Sequence, residues 1–189
     1  MGKPTHLECS LCHQQVEAGQ VANLCAACGG PLLVRYEMGT LRHRWPRRQV
    51  AEGPPSMWRY APVLPAAPAS VISLGEGWTP LIRTRRLGSR LGAEALWVKD
   101  EGLNPTASFK ARGLSCAISM CVELGIRKVA IPSAGNAASA LAAYAAAAGI
   151  ESHIFMPRDV PQANYLECMA YGANVTLVDG LISDCGRMV

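Results

Sequence analysis

The feature that most constrains the fold is a regular alternation of short apolar runs with helix-like segments, which begins near Val71. Periodicity predicts four strands, at 95–99, 128–132, 152–157 and 174–178, and three helices, at 109–124, 136–148 and 162–171. Such alternation favours a mostly parallel sheet with helices on both faces. The sequence therefore predicts a three-layer αβα domain over residues 71–189.

A second, smaller unit is indicated by two cysteine pairs near the start of the chain, Cys9-x-x-Cys12 and Cys25-x-x-Cys28. Two such turns supply the four thiolates of a closed tetrahedral zinc site. Gly29-Gly30 follows the second pair and permits a tight turn. Redox dithiols and disulfides are the alternatives. We expect a structural zinc ribbon over residues 1–37, with His13 beside it as a bystander.

The other four cysteines lie in apolar or helix-like surroundings, where a buried cysteine acts as a small hydrophobic residue. They are Cys116, Cys121, Cys168 and Cys185. We assign them no chemistry.

Residues 38–70 are predicted to connect the two units. Five prolines between Glu52 and Ser70 favour extended conformations over helix. The last residues, 179–189, begin a new element, so we expect the chain to be truncated.

Composition and charge argue against nucleic-acid-binding and membrane proteins. The net charge of +4 comes mostly from scattered arginines without interleaved aromatic residues, which favours a solvated surface over a nucleic-acid site. The start of the chain lacks signal-peptide order, and the apolar run Ala137–Ile150 is too short to span a bilayer. We therefore expect a cytoplasmic protein with no membrane or nucleic-acid partner. A reducing compartment also argues against a disulfide framework.

The segment from Asn104 to Gly113 offers a reactive amine. Lys110 lies close to a predicted helix start, where the macrodipole disfavours a cation. A partly desolvated lysine there would have a lowered pKa and be a better nucleophile for a Schiff base. The alternative is an ordinary exposed lysine.

Two loops could hold anions. The small residues Ser133, Ala134, Gly135, Asn136 and Ala137 join a strand to a helix, and backbone amides at a helix start can bind a carboxylate or a phosphate. Helix capping alone is the alternative. The segment 75–81, Gly-Glu-Gly-Trp-Thr-Pro-Leu, would suit a lid over a bound anion, or could be only a turn.

Taken together and in this order, four segments resemble the fold-type II pyridoxal-phosphate enzymes, and within that group threonine synthases most. They are 75–81, Lys99-Asp100-Glu101, 104–113 and 132–138. The ribbon ending Cys25-Ala26-Ala27-Cys28-Gly29-Gly30-Pro31-Leu32 is similar to one that many threonine synthases and cysteate synthases carry. The resemblance covers nearly the whole chain and implies the first half of a tryptophan synthase β-like fold.

The resemblance also implies roles. Lys110 matches the lysine that bonds to pyridoxal 5'-phosphate and moves protons, and Asn136 matches the asparagine that hydrogen-bonds the phenolic oxygen of the cofactor. Ser133 to Ala137 match the loop that holds the substrate carboxylate. Phe109 would help to bind the cofactor, and Thr79 the substrate. The implied reaction converts O-phosphohomoserine and water to threonine and phosphate.

One departure from the family pattern is expected to matter. Family members continue for a comparable length, and that half carries the glycine-rich phosphate cup and the hydroxyl that faces the pyridine nitrogen. The chain is therefore expected to be an N-terminal fragment acting on a small amino-acid substrate, with a half-built sheet that invites self-association. Cysteate synthase, a threonine dehydratase-like lyase and a non-catalytic zinc-ribbon binding module stay open as alternatives.

Overall fold

The N-terminal unit is a small antiparallel sheet. A computed structural model describes residues 3–189. Strand β1 (His6–Cys9) lies between β2 (Gln15–Glu17) and β3 (Leu32–Arg35). The register places Leu7 of β1 opposite Val16 and Val34. The three strands thus bring the two cysteine pairs to one end of the sheet.

The predicted connector, residues 38–70, is partly helical, and the extended conformation predicted for residues 52–70 is wrong where 3-10 helices form. It forms α1 (Met38–Arg44), α2 (Arg47–Ala51) and two 3-10 helices, Met57–Val63 and Pro68–Ser70. Burial of apolar side chains overrides the proline signal. Met57, Trp58 and Ala66 are buried together and form a core cluster of their own. The boundaries at 37/38 and 70/71 remain a prediction.

A two-stranded antiparallel sheet follows. Strand β4 (Leu81–Arg83) pairs with β5 (Trp97–Lys99), and helix α3 (Arg85–Arg90) connects them. The first predicted strand therefore forms, although it is shorter than predicted and lies outside the parallel sheet. All six residues of β4 and β5 are exposed.

The α/β unit contains the predicted parallel sheet, in the order β6-β7-β8. The chain runs α4 (Lys110–Glu123), β6 (Lys128–Pro132), α5 (Asn136–Ala148), β7 (Glu151–Pro157), α6 (Gln162–Ala170), β8 (Asn174–Val178) and α7 (Ile182–Met188). Alternation of strands and helices thus gives the mixed α/β architecture that the sequence predicts. The bounds of β6, α5 and β8 agree with prediction to the residue.

Two apolar clusters hold this unit together. On the central strand β7, Ile154 and Met156 are fully buried against α5 and α6. The second cluster lies between α4 and α5 and includes Ile118 and Tyr144. Cys168 and Cys185 are fully buried, in agreement with their prediction as small hydrophobic residues.

A polar stripe on α4 fixes the chain that precedes β4. Ser115, Ser119 and Glu123 follow one another at four-residue intervals, which places them on one helix face. The Glu123 carboxylate accepts from the Ala67 amide at 2.6 Å, and Ser119 Oγ accepts from the Ile72 amide at 2.8 Å. This stripe was not predicted, since serine in a helix also suits a solvated face. None of the helices within residues 3–189 is long and apolar enough to cross a membrane.

Candidate active site and metal centre

The four cysteines predicted as ligands converge on one point. Their Sγ atoms all lie within 4.8 Å of one another, with Cys9 3.4 Å from Cys28 and Cys12 3.6 Å from Cys25. Four sulfurs at ~2.3 Å from a zinc ion in tetrahedral geometry are separated by about 3.8 Å. The cluster could therefore hold one metal ion.

Local backbone geometry favours this cluster. The amides of Cys12 and Leu11 point at Cys9 Sγ and lower the pKa of Cys9, whereas hydrogen bonds with the neighbouring thiols raise that of Cys28. Gly29 has a φ of +71°, and a Cβ on Gly30 would lie 2.8 Å from Cys9 Sγ. The two glycines are thus required, one for its conformation and the other for space. His13 lies outside the cluster and contacts the Glu8 carboxylate.

The predicted catalytic lysine is the first residue of α4. Lys110 is partly exposed, and its Nζ lies 4.7 Å from the ring centroid of Phe109, itself 57% exposed. The backbone just before it is strained, because Thr106 and Ala107 have φ values of +58° and +52°. A left-handed conformation costs an L-residue about 1–2 kcal/mol. The sequence gives no sign of this strain, since a β-branched threonine is disfavoured there.

The predicted anion-binding loop joins the carboxyl end of β6 to α5. Asn136 is the first helical residue and is exposed, and Gly135 occupies the N-cap position, where no side chain caps the helix. Side-chain capping is therefore not what this loop provides. The Ala138 amide donates to the Gly135 carbonyl at 2.8 Å, which leaves the amides of Asn136 and Ala137 to bind an anion. The Pro105–Ala107 turn contacts α5, so the structure brings the two motifs together.

One residue that orients this loop was missed by the sequence analysis. The side-chain amide of Asn164, on α6, donates to the Ala134 carbonyl at 3.0 Å. This bond turns the carbonyl of Ala134 toward α6. A polar residue on a helix otherwise suits solvent, so only the packing of α6 beside α5 identifies it.

The segment 75–81 is held by contacts on both sides, and its role as a lid stays a prediction. The Gly77 amide donates to Asn104 Oδ1 at 2.9 Å, and the Thr79 hydroxyl donates to Glu101 at 2.6 Å. Gly77 has a φ of +93°, and a Cβ there would lie 2.3 Å from the Met57 nitrogen. The loop is thus packed against neighbouring backbone on one side and bonded to the lysine-bearing segment on the other.

Glu101 is the centre of this second set of contacts. Arg112 binds its carboxylate through two bonds of 2.6 and 2.7 Å, and Asn104 Nδ2 donates to it at 2.9 Å. The hydrogen bonds from Arg112 hold the pKa of Glu101 down at about 2. Thr79, predicted to bind substrate, is 7% exposed and its hydroxyl already has this protein partner. Substrate contact by Thr79 stays a prediction.

Glu76 belongs to the same loop, and its carboxylate is buried away from Glu101 in a separate set of hydrogen bonds. Its two oxygens accept from Trp58 Nε1 and Ser115 Oγ, and from Tyr144 OH and the Leu74 amide. Burial by itself would raise the pKa of Glu76, but the hydrogen bonds from Ser115, Tyr144 and the amide outweigh it, and the pKa is lowered. Burial and the charge of Glu76 raise the pKa of Tyr144.

The arrangement resembles known proteins in sequence and in fold. The chain is 35% identical over 185 residues to the threonine synthase of Methanosarcina acetivorans, a match that covers 97% of this chain and 45% of the relative. It is 34% identical over 183 residues to the threonine synthase of Methanocaldococcus jannaschii, covering 96% and 45%. The chain thus spans about half the length of these curated relatives.

Solved structures give the same fold. Threonine deaminase isoform 2 from Solanum lycopersicum superimposes with a TM-score of 0.52 and 28% identity, over 57% of this chain and 30% of that one. The serine racemase of Dictyostelium discoideum gives 0.53 and 28%, over 58% and 36%. The sequence profile of the family described as pyridoxal-phosphate dependent enzyme matches residues 72–189. The chain belongs to the pyridoxal-phosphate dependent enzyme family.

Proposed function

We propose that this chain forms the zinc-ribbon and lysine-bearing part of a threonine synthase, which converts O-phosphohomoserine and water to threonine and phosphate. The observation that carries the proposal is that α4, which begins at Lys110, packs on α5, whose start has no side-chain cap, while the turn before Lys110 also contacts α5. A primary amine and free helix amides are the groups that a carbonyl cofactor and a substrate carboxylate need.

The residues present fit pyridoxal 5'-phosphate. Lys110 Nζ would bind the cofactor aldehyde, and it would accept and return protons beside the substrate carbon. The side chain of Asn136 would orient the ring by hydrogen bonding to its phenolic oxygen, and Phe109 would flank it. When bound, the cofactor supplies an electron sink for negative charge at the substrate carbon.

The loop from Ser133 to Ala137 would hold the substrate. Its small side chains leave the amides accessible, and the macrodipole of α5 adds favourable charge at the same point. Asn164 would keep the loop in this orientation through the Ala134 carbonyl. Thr79 would contact the substrate, and its hydrogen bond to Glu101 would hold it beside the lysine-bearing segment.

The cysteine cluster would hold one structural zinc ion. Four soft ligands leave no open coordination position, so the ion would stabilise the ribbon and take no part in the reaction. The ribbon also favours threonine synthase over a deaminase. Two threonine synthases match 96–97% of the chain, a span that includes the ribbon, and other threonine synthases match 60–66% of it.

The cofactor part of the proposal is tested by reduction with borohydride. The zinc-loaded chain is mixed with pyridoxal 5'-phosphate, its visible band is recorded, and the reduced product is mapped by peptide mass spectrometry. Among the four lysines (Lys3, Lys99, Lys110 and Lys128), the label should fall on Lys110. Lys110→Ala should abolish the band, and Lys128→Ala is the matched control that keeps it. Labelling spread evenly over the four lysines would refute the assignment.

The substrate part needs a separate assay. Phosphate released from O-phosphohomoserine, with threonine formed in equal amount, is the result expected of a threonine synthase. A threonine dehydratase-like enzyme would instead form a 2-oxo acid and ammonia from threonine. Formation of the 2-oxo acid without phosphate release would overturn the substrate assignment and leave the cofactor assignment standing.

A further inference from the structure

Glu76 is a fully buried carboxylate to which the proposed chemistry assigns no role. Four donors from four separate parts of the chain reach it. They are Trp58 Nε1 at 2.7 Å, Ser115 Oγ at 2.6 Å, the Leu74 amide at 3.0 Å and Tyr144 OH at 2.5 Å. None of the ion pairs found within residues 3–189 includes Glu76. The charge is therefore balanced by directional neutral donors, whose positions it fixes in return.

Two of these donors belong to the helices that carry the proposed active-site groups. Ser115 follows Lys110 by five residues on α4, and Tyr144 follows Asn136 by eight residues on α5. At ~1.5 Å per residue, the two contacts lie about 8 Å and about 12 Å along their helices from those groups. One carboxylate thus connects α4 to α5 within about two turns of both helix starts.

The apolar interface between these helices has few large side chains to set their register. Apart from Ile118, the buried face of α4 consists of Ala111, Ser115 and Ser119, and α5 is largely alanine apart from Leu141 and Tyr144. Helices pack by placing side-chain ridges into grooves, and alanine and serine form shallow ridges. Apolar burial is also non-directional, so sliding by a fraction of a turn changes it little. Hydrogen bonds to Glu76 add a directional constraint to this mostly small-residue interface.

We propose that Glu76 is a positioning residue that fixes the separation of Lys110 and Asn136 by bonding α4 and α5 through Ser115 and Tyr144. The catalytic meaning of that separation rests on the proposed function. The positioning itself does not, because it is a property of the helix pair. The two can therefore be tested by different measurements on the same variants.

Tyr144→Phe is the primary variant, because it removes the α5 bond to Glu76 and leaves the ring in place. Glu76→Gln is a second variant, although it places an amide against several buried donors and endangers folding. Ile118→Val is the matched control. Ile118 lies in the same buried cluster as Tyr144, so its truncation loosens apolar packing without touching the carboxylate.

The first measurement needs no cofactor. Amide hydrogen exchange is followed by mass spectrometry at residues 114–118 and 140–144, where the first helical turns of α4 and α5 are closed. With exchange corrected for global stability, Tyr144→Phe should exchange about tenfold faster at both places, the effect of losing one hydrogen bond to a charged group. Ile118→Val should change by less than about twofold. Equal effects of the two variants would overturn the positioning role.

The second measurement is the affinity for pyridoxal 5'-phosphate, read from the visible band and from the label on Lys110. Tyr144→Phe should weaken binding about tenfold and Ile118→Val should leave it within about twofold. An affinity unchanged in Tyr144→Phe would also overturn the proposal. If the unaltered chain gives no label on Lys110 while the exchange contrast is present, the proposed function fails and the positioning role of Glu76 stands.

Discussion

Two neighbouring glycines of the 75–81 loop provide a direct test of how that loop is held. Gly75 and Gly77 have φ values of +95° and +93°, so alanine is equally disfavoured at both by its backbone conformation. A Cβ at position 75 meets nothing within 4 Å, whereas at position 77 it would lie 2.3 Å from the Met57 nitrogen. Gly75→Ala and Gly77→Ala thus form a matched pair that differs in one steric contact.

The expected cost of each substitution follows from these contacts. Gly75→Ala should lower the free energy of unfolding by about 1–2 kcal/mol, which is the cost of a left-handed conformation. Gly77→Ala carries the same cost and also forces Met57 away, which breaks the 2.9 Å bond from its amide to the Glu76 carbonyl. It displaces the buried Glu76 contacts as well. Adding about 1 kcal/mol for that bond and about 1–2 kcal/mol for disturbed charged contacts gives about 3–5 kcal/mol.

The assay is urea unfolding of the zinc-loaded chain, followed by tryptophan fluorescence and far-ultraviolet circular dichroism. The difference between the two variants matters more than either value, because the conformational cost cancels. We expect Gly77→Ala to be less stable than Gly75→Ala by about 2 kcal/mol or more. Equal midpoints would refute the close packing of the loop on Met57.

Three further predictions concern other parts of the chain. Gly30→Ala should weaken zinc binding, measured by competition with a chromophoric chelator, because its Cβ would lie 2.8 Å from Cys9 Sγ; unchanged affinity would contradict the site geometry. The pKa of Glu101, lowered to about 2 from 4.5, stabilises the fold above pH 4.5, and this contribution is lost as the pH falls toward 2. Arg112→Met should therefore flatten the rise in unfolding free energy between about pH 2 and pH 4.5, and an unaltered slope would show that the pair does not set this pKa. Ile154→Ala should destabilise the chain by about 2–5 kcal/mol in thermal or urea unfolding, because β7 is the central strand of the parallel sheet; a loss below about 1 kcal/mol would contradict its burial.

Local pattern was sufficient for the elements of the α/β unit. The bounds of β6, α5 and β8 follow from local signals: α5 lies between Gly135 and the left-handed Gly149, and the two strands are short apolar runs. The extended conformation predicted for residues 52–70 was wrong because the conformation there depends on contacts outside the segment. Its prolines indicate what the backbone avoids, whereas Met57 and Trp58 are buried against α4, a partner distant in sequence. The paired strands Leu81–Arg83 and Trp97–Lys99 are likewise defined by each other, and short segments of three residues carry little signal alone.

Some residues of the candidate site could be predicted from the sequence and others could not. The cysteine spacing, the amine of Lys110 and the small-residue loop at 133–137 are visible in the sequence, because each chemical role requires a residue type at a fixed spacing. The roles of Glu76 and Asn164 are not, since a glutamate beside glycines and an asparagine on a helix both suit solvent.

What the sequence by itself determined is the chemistry available to this protein: the thiol cluster, the primary amine and the order of the α/β elements. Local spacing decides these features, because ligand turns and amphipathic periods extend over only a few residues. Only the tertiary structure decided that Glu76 is buried and that the 75–81 loop is held by contacts on both sides. Both depend on contacts such as Glu76 with Tyr144, 68 residues apart along the chain. Burial, which raises the pKa of a carboxylate, and the hydrogen-bond partners that lower it exist only once distant elements pack together.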